Sequence, residues 1–142
     1  MRMTRTDDIN CLFQEKNLKP SKARIQILSI CMTSHIPVDV NFVAEKMGSN
    51  AHLATIYRTL EKFVTANILE RIDFQEGKFR YEYIHSHHHH AVCNDCGRVE
   101  DVTDSSTEVK AIEERVHKES GFTVTKHMIE LFGLCNKCQK KG

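Results

Sequence analysis

The chain has 142 residues, enough for one domain of ordinary size or for two small ones. Hydrophobic residues make up 40% of the chain and charged residues 27%, a composition typical of soluble globular proteins. Its apolar runs are too short to span a bilayer, and the first residues lack the apolar segment of a signal peptide. We therefore expect a cytoplasmic protein with reduced thiols, in which paired cysteines indicate metal or redox chemistry.

Metal-binding side chains are concentrated late in the chain. Seven of the nine histidines and four of the six cysteines follow residue 84. The net charge of +1 gives no indication of nucleic acid, because DNA binding needs a basic patch rather than a basic total. The uneven distribution of ligands predicts two domains with different tasks, residues 1–84 and 85–142.

The first domain is predicted to be helical with a terminal hairpin. Apolar residues at helical spacing predict helices over residues 7–17, 22–32, 40–47 and 52–65, with Ser21 and Asp39 as N-caps and a turn at residues 48–50. Two strand-like runs, residues 68–74 and 78–84, flank Gln75-Glu76-Gly77 and predict a hairpin. Together they form a helix-turn-helix with a wing, a pattern that also suits a scaffold without DNA.

The second domain is predicted to be a small mixed α/β unit. Strands are expected over residues 88–93 and 98–102, a helix over residues 106–119, and a long strand over residues 123–134. A unit of this size cannot bury a sufficient core alone, so metal and a partner subunit are expected to stabilise it.

Two CxxC units, Cys93/Cys96 and Cys135/Cys138, each follow a predicted strand. Four thiolates complete the tetrahedral coordination of zinc and leave no open position, so the predicted site is structural. A redox dithiol would instead lie at the N-terminus of a helix, and neither pair is predicted to do so.

The run His87-His88-His89-His90 leads directly into the strand that ends at Cys93. Side chains alternate between the faces of a strand, so His88 and His90 share one face while His87 and His89 share the other. One run can therefore supply two metal sites. The residues that could complete them are Glu82 and Asp101 for the first site, and Glu108 and His127 for the second.

Nitrogen and carboxylate ligands suit iron(II), manganese(II), zinc or nickel without selecting strongly among them. A site between a DNA-reading unit and a second domain can act as a switch, with the metal ordering Glu82 at the end of the wing. The alternative is a solvated polyhistidine loop with incidental metal affinity.

At this point the chain resembles the ferric uptake regulator family over about residues 10 to 138. The resemblance rests on four segments: residues 52–60 (HLATIYRTL), the histidine run, residues 93–99 (CNDCGRV) and residues 125–127 (TKH). It implies an α+β protein with an N-terminal winged helix-turn-helix domain and a small α/β dimerisation domain with structural zinc. It also implies a metal-dependent repressor, not an enzyme, that binds palindromic double-stranded operator DNA as a homodimer.

The resemblance also assigns functional residues. Tyr57 and Arg58 match DNA-contacting residues of the recognition helix, with Thr55 and His52 as further candidates at its start. The four paired cysteines match the structural zinc site. The remaining ligands match a regulatory site of Glu82, His88, His90 and Asp101, and an additional site of His87, His89, Glu108 and His127.

The resemblance does not fix the regulatory metal. Glu82 is typical of iron-sensing members, His89 of the zinc-sensing branch, and Asp101 of peroxide sensors. A further histidine that many members place before the third helix has Pro37 or Ile36 at the aligned position. We expect iron(II), with zinc-responsive, manganese-responsive and peroxide-sensing members as alternatives.

Two other classes of function fit the sequence less well. A metal-dependent hydrolase using His88, His90 and Asp101 would lack a helical HExxH motif and a paired nucleophile and base. A metal-buffering protein would account for the histidine run but not for the winged helix.

Overall fold

The computed structural model describes residues 5–48, 52–84, 88–103 and 107–140. His87 and most of the predicted turn at residues 48–50 lie outside these ranges. The chain divides into two compact units, Met1–His85 and Ser86–Gly142. Within the described ranges, no helix combines the length and the apolar character needed to cross a membrane.

Four helices and a hairpin form the first unit. Asp39 caps the third helix by accepting a hydrogen bond from the backbone N–H of Phe42, and Ser21 caps the second by accepting one from Arg24, as predicted. The two strands pair antiparallel with Leu69 opposite Tyr83. The predicted winged helix is thus confirmed. The elements are α1 Arg5–Glu15, α2 Lys22–Thr33, α3 Val40–Met47, α4 Leu53–Thr65, β1 Leu69–Asp73 and β2 Phe79–Tyr83.

The core of the first unit fixes the orientation of α4. Ile56, Leu60 and Phe63 recur at helical spacing and are at most 1% exposed. Phe63 stacks on Phe13 of α1 with ring centroids 5.6 Å apart. Because one face of α4 is buried in this way, Arg58 lies on the opposite, exposed face.

The wing is attached to the helices through Tyr81, which is 1% exposed. Its backbone exchanges two hydrogen bonds with Val38, of 2.7 and 2.9 Å, just before α3. Its hydroxyl donates a 2.6 Å hydrogen bond to Glu61 of α4, which also pairs with Arg71 of β1 at 2.9 Å. The hairpin, the segment before α3 and α4 therefore meet at one residue, Tyr81.

The second unit is a three-stranded sheet with a long and a short helix. The strand order is β4-β3-β5, with β4 antiparallel and β5 parallel to β3. The elements are β3 His88–Cys93, β4 Val99–Thr103, α5 Thr107–Ser120, β5 Glu130–Gly133 and α6 Asn136–Gln139.

Two predictions for the second unit are wrong. The long strand over residues 123–134 is confined to Glu130–Gly133, because pairing with β3 extends only over His90–Cys93 and residues 121–129 are irregular. The second cysteine pair does begin a helix, since Cys135 is the N-cap of the single turn α6. A helix of four residues is too short to show a helical period in the sequence.

The buried side chains of the second unit are mostly metal-binding types. Among its described residues, only two aliphatic side chains are buried, Val92 and Val99. The other buried side chains are His89, His90, Cys93 and Cys138. The interior of this unit is therefore built largely from candidate ligands.

Candidate metal centres and recognition surface

The four paired cysteines converge at one end of the sheet. Their sulfur atoms all lie within 4.8 Å of one another, and the Sγ atoms of Cys96 and Cys135 are 3.8 Å apart. Tetrahedral zinc with bonds of about 2.3 Å requires sulfur atoms about 3.8 Å apart, whereas a disulfide requires about 2.05 Å. This donor set fits a closed zinc site and joins the end of β3 to the start of α6.

The backbone around these thiols favours the charged form that binds metal. N–H groups of Cys96 and Cys135 donate hydrogen bonds to Cys93 and lower its pKa to about 6. The N–H of Cys138 likewise lowers the pKa of Cys135. A hydrogen bond with the side chain of Asp95 raises the pKa of the Cys138 thiol, and burial raises it further. Metal binding must therefore displace the thiol proton of Cys138.

His88, His90 and Asp101 form a second candidate centre within the second unit. His90 lies opposite Asp101 in the β3–β4 register, and the rings of His88 and His90 are 4.9 Å apart on the same face. The Oδ1 of Asp101 lies 3.8 Å from Nε2 of His88 and 4.0 Å from Nε2 of His90. His90 is buried and Asp101 is exposed, so the three ligands open toward solvent.

The opposite face of β3 carries His89, which is 5% exposed. Its ring lies 5.3 Å from that of His127, and Nδ1 of His127 lies 2.6 Å from Oε1 of Glu113 on α5. Glu108 lies in the first, exposed turn of α5. The structure therefore brings together His89 and His127 as expected, and adds a carboxylate that the sequence analysis had missed.

Glu113 could have been found from the pattern of α5. The helix turns only three of its side chains partly inward, those of Val109, Glu113 and Val116. A charged residue within an apolar stripe at a spacing of four and three residues is the signal that marks it.

Glu82 belongs to the first unit. It lies half-buried on β2, directly opposite Glu70 in the hairpin register. Like charges that face each other across an antiparallel pair are destabilising, so this position favours a nearby cation.

The predicted DNA-contacting residues lie along the exposed side of α4. His52 is the N-cap of α4, and Tyr57 is 45% exposed. A guanidinium nitrogen of Arg58 lies 3.4 Å from the hydroxyl of Thr55. All four side chains are exposed to solvent, as those of a recognition helix must be.

A groove between α2 and α4 adds positive charge to this surface. Arg24, Arg58 and Lys62 line it together with Ser21 and the threonines of α4. The carboxylate of Glu61, which also borders the groove, is engaged by Tyr81 and Arg71. The groove thus presents three cations suited to phosphate oxygens.

The first unit is thus a winged helix, and the second unit carries candidate metal centres. The family model described as the ferric uptake regulator family matches residues 15–132, and the chain belongs to that family. Members of this family regulate transcription and are not enzymes. They bind DNA and act as dimers.

Individual relatives cover nearly the whole chain. The ferric uptake regulation protein of Neisseria meningitidis serogroup A is 34% identical over 134 residues, which cover 91% of this chain and 92% of that protein. The Vibrio cholerae ferric uptake regulator, known from a crystal structure, is 28% identical in sequence and has a TM-score of 0.76. The match covers 90% of this chain and 100% of that one. A zinc-bound manganese uptake regulator is 30% identical with a TM-score of 0.66, covering 89% and 98%.

Proposed function

We propose that this chain is a cytoplasmic homodimeric repressor that binds palindromic operator DNA when its regulatory site holds a divalent metal, with iron(II) as that metal. The observation that carries the proposal is the convergence of His88, His90 and Asp101 in a member of a family of transcription regulators. Two imidazoles and a carboxylate can bind a divalent metal and release it, which a four-thiolate site does not do readily.

The first unit would contribute the fourth ligand, Glu82. It is the carboxylate of the hairpin nearest in sequence to the histidine run, and a cation bound there would reduce its repulsion with Glu70. A metal held by Glu82 and by ligands of the second unit would restrict the first unit to one orientation. Metal occupancy would then set the position of the recognition helix.

DNA would be read by α4. Tyr57 and Thr55 can contact bases or phosphates in the major groove, with His52 at the entering end of the helix. Arg58, with Arg24 and Lys62 in the same groove, would neutralise phosphates. Two such helices in a symmetric dimer match the two halves of a palindrome.

The dimer would form through the second unit. That unit exposes more large apolar side chains than it buries, and β5 forms an edge of its sheet. A second copy that covers them would supply the core that the unit lacks. The exposed side chains are Ile112, Phe122, Met128, Leu131, Phe132 and Leu134.

A binding experiment tests the switch. A duplex selected from a random library in the presence of manganese(II) serves as the operator, and fluorescence anisotropy measures its affinity. We expect tight binding with metal and release when a mild chelator removes the regulatory metal. Asp101→Ala, a change at an exposed residue, should weaken the metal-dependent affinity at least about tenfold. His117→Ala, which alters an exposed histidine of α5, is the matched control.

Two outcomes contradict the proposal. Equal DNA binding with and without metal would remove the switch, and metal binding without any selected DNA would favour the metal-buffering alternative. Titration with buffered iron(II), manganese(II) and zinc(II) identifies the metal. Oxygen added to His88 or His90 after peroxide exposure of the iron form would indicate the peroxide-sensing alternative.

A further inference from the structure

The second face of β3 contains a carboxylate–histidine pair that we infer to be part of a metal site. Glu113 is half-buried on the inward side of α5, between Val109 and Val116. Its Oε1 lies 2.6 Å from Nδ1 of His127, whose ring lies 5.3 Å from the buried His89. A carboxylate on an otherwise apolar helix face is costly without a partner, and His127 is that partner.

The chemistry of this hydrogen bond determines the state of the imidazole. An ionised carboxylate can only accept, so Nδ1 of His127 must donate its proton. In the neutral ring this places the lone pair on Nε2, the atom through which the ring would bind a metal. A carboxylate that holds a histidine in this way raises its basicity and fixes its orientation.

We propose that Glu113 is a positioning residue for the site formed by His89 and His127, acting through its hydrogen bond to Nδ1 of His127. Five residues of helix separate the two glutamates, which therefore point about 140° apart around the axis of α5. Glu108 is on the exposed side and Glu113 is on the side that contacts His127. This inference rests on the proposed function only in taking His89 and His127 as metal ligands.

The first test is the protonation of His127 in the metal-free site, with zinc kept in the cysteine site. Nitrogen-15 NMR of the neutral imidazole distinguishes the Nδ1–H form from the Nε2–H form. We expect Nδ1–H in the wild-type protein and a shift toward Nε2–H in Glu113→Ala. Wild-type His127 in the Nε2–H form would overturn the proposal, even if the variant failed to fold.

The second test is metal affinity at this site alone. In an Asp101→Ala background, which disables the other histidine site, cobalt(II) is titrated and followed by visible absorption. Glu113→Ala should weaken binding by about 10- to 100-fold, the usual effect of losing such a partner. Glu114→Ala, at the adjacent exposed position, should leave it unchanged.

Glu108→Ala distinguishes the contribution of Glu108 to cobalt(II) affinity from that of Glu113. Loss of cobalt affinity in Glu108→Ala with retention in Glu113→Ala would overturn the inference. Neither test uses DNA. If the operator experiment failed while Glu113→Ala weakened cobalt(II) binding, the proposed function would be rejected and this inference would stand. Retained zinc and an unchanged circular dichroism spectrum show that each variant is folded.

Discussion

At the scale of single residues, Tyr81 connects three parts of the first unit. It is buried, it joins the wing to the segment before α3, and its hydroxyl donates to Glu61 on the recognition helix. Glu82, the proposed ligand, is the next residue of the same strand. If metal binding displaced the strand at Glu82, the displacement would occur one residue away from the hydrogen bond between Tyr81 and Glu61 of α4.

Tyr81→Phe tests this contact by removing only the hydroxyl. We expect the free energy of unfolding to fall by about 1 to 2 kcal/mol, because a hydrogen bond to a carboxylate is lost from a partly buried position. Urea unfolding measures the change. Tyr57→Phe removes an exposed hydroxyl from α4 and should leave stability unchanged. An equal effect of both substitutions would mean that the Tyr81–Glu61 bond contributes nothing.

The sequence predicted individual ligands unevenly, for physical reasons. The alternation of side chains along a strand is a local property, so the separation of His88 and His90 from His89 could be predicted. The four cysteines were predictable because two CxxC pairs in one small unit are typical of a zinc site. The pattern of α5 marks Glu113 but not its partner, because His127 is 14 residues away and a local pattern does not show which residue faces it.

At the scale of elements, the start of α3 contains a charge that links it to the wing. Asp39 accepts from Phe42 N–H at 2.7 Å and forms an ion pair with Lys78 of the hairpin. Burial alone would raise the pKa of Asp39, but the hydrogen bonds from Lys78 and Phe42 outweigh it and lower the pKa below its ordinary value. Such a group stabilises the fold above its unfolded pKa and loses this contribution as the pH falls through its folded pKa.

Asp39→Asn isolates that charge, because asparagine also caps helices well. At pH 7 we expect the variant to have a lower urea midpoint than the wild type. The difference should begin to shrink below about pH 4, where the carboxyl becomes protonated in the unfolded chain, and should be lost as the pH falls through the lower folded pKa. Asp8→Asn, an exposed change in α1, controls for the loss of one negative charge. A difference that stays constant down to pH 3 would contradict the role assigned to Lys78.

Elements differed in how well the sequence predicted them. The helices of the first unit were predictable because each carries its own apolar period, and because Ser21 and Asp39 cap two of them. The strand predicted over residues 123–134 was too long. The sequence shows strand-like residues but not how many of them pair with a neighbouring strand. β5 is as short as its ladder with β3 allows.

At the scale of the whole molecule, the exposed apolar side chains of the second unit predict its association. Leu131 is 52% exposed on the edge strand β5. If a second copy covers the exposed half of Leu131, Leu131→Lys loses about half of the 1.5 to 3 kcal/mol of full leucine burial in each protomer. The dimer dissociation constant should then rise at least about tenfold.

Sedimentation equilibrium measures this change. Ile36→Lys, at a residue of the first unit with 45% exposure, is the control and should leave the dimer intact. Since Leu131 is exposed in the protomer, the variant should keep its zinc. A dimer of unchanged affinity would place the interface elsewhere.

In the interior of the second unit, ligand side chains outnumber aliphatic ones. If its folding depends on zinc, the amount of this regulator would follow the zinc supply of the cell. Structural zinc contributes on the order of 10 kcal/mol to the folding of small domains, and chains that lack it would be degraded by proteases. Zinc would then determine how many regulators exist, and the regulatory metal how many of them occupy operators. Genes under their control would be silent only when both metals are plentiful, so we expect zinc starvation to relieve repression in iron-replete cells.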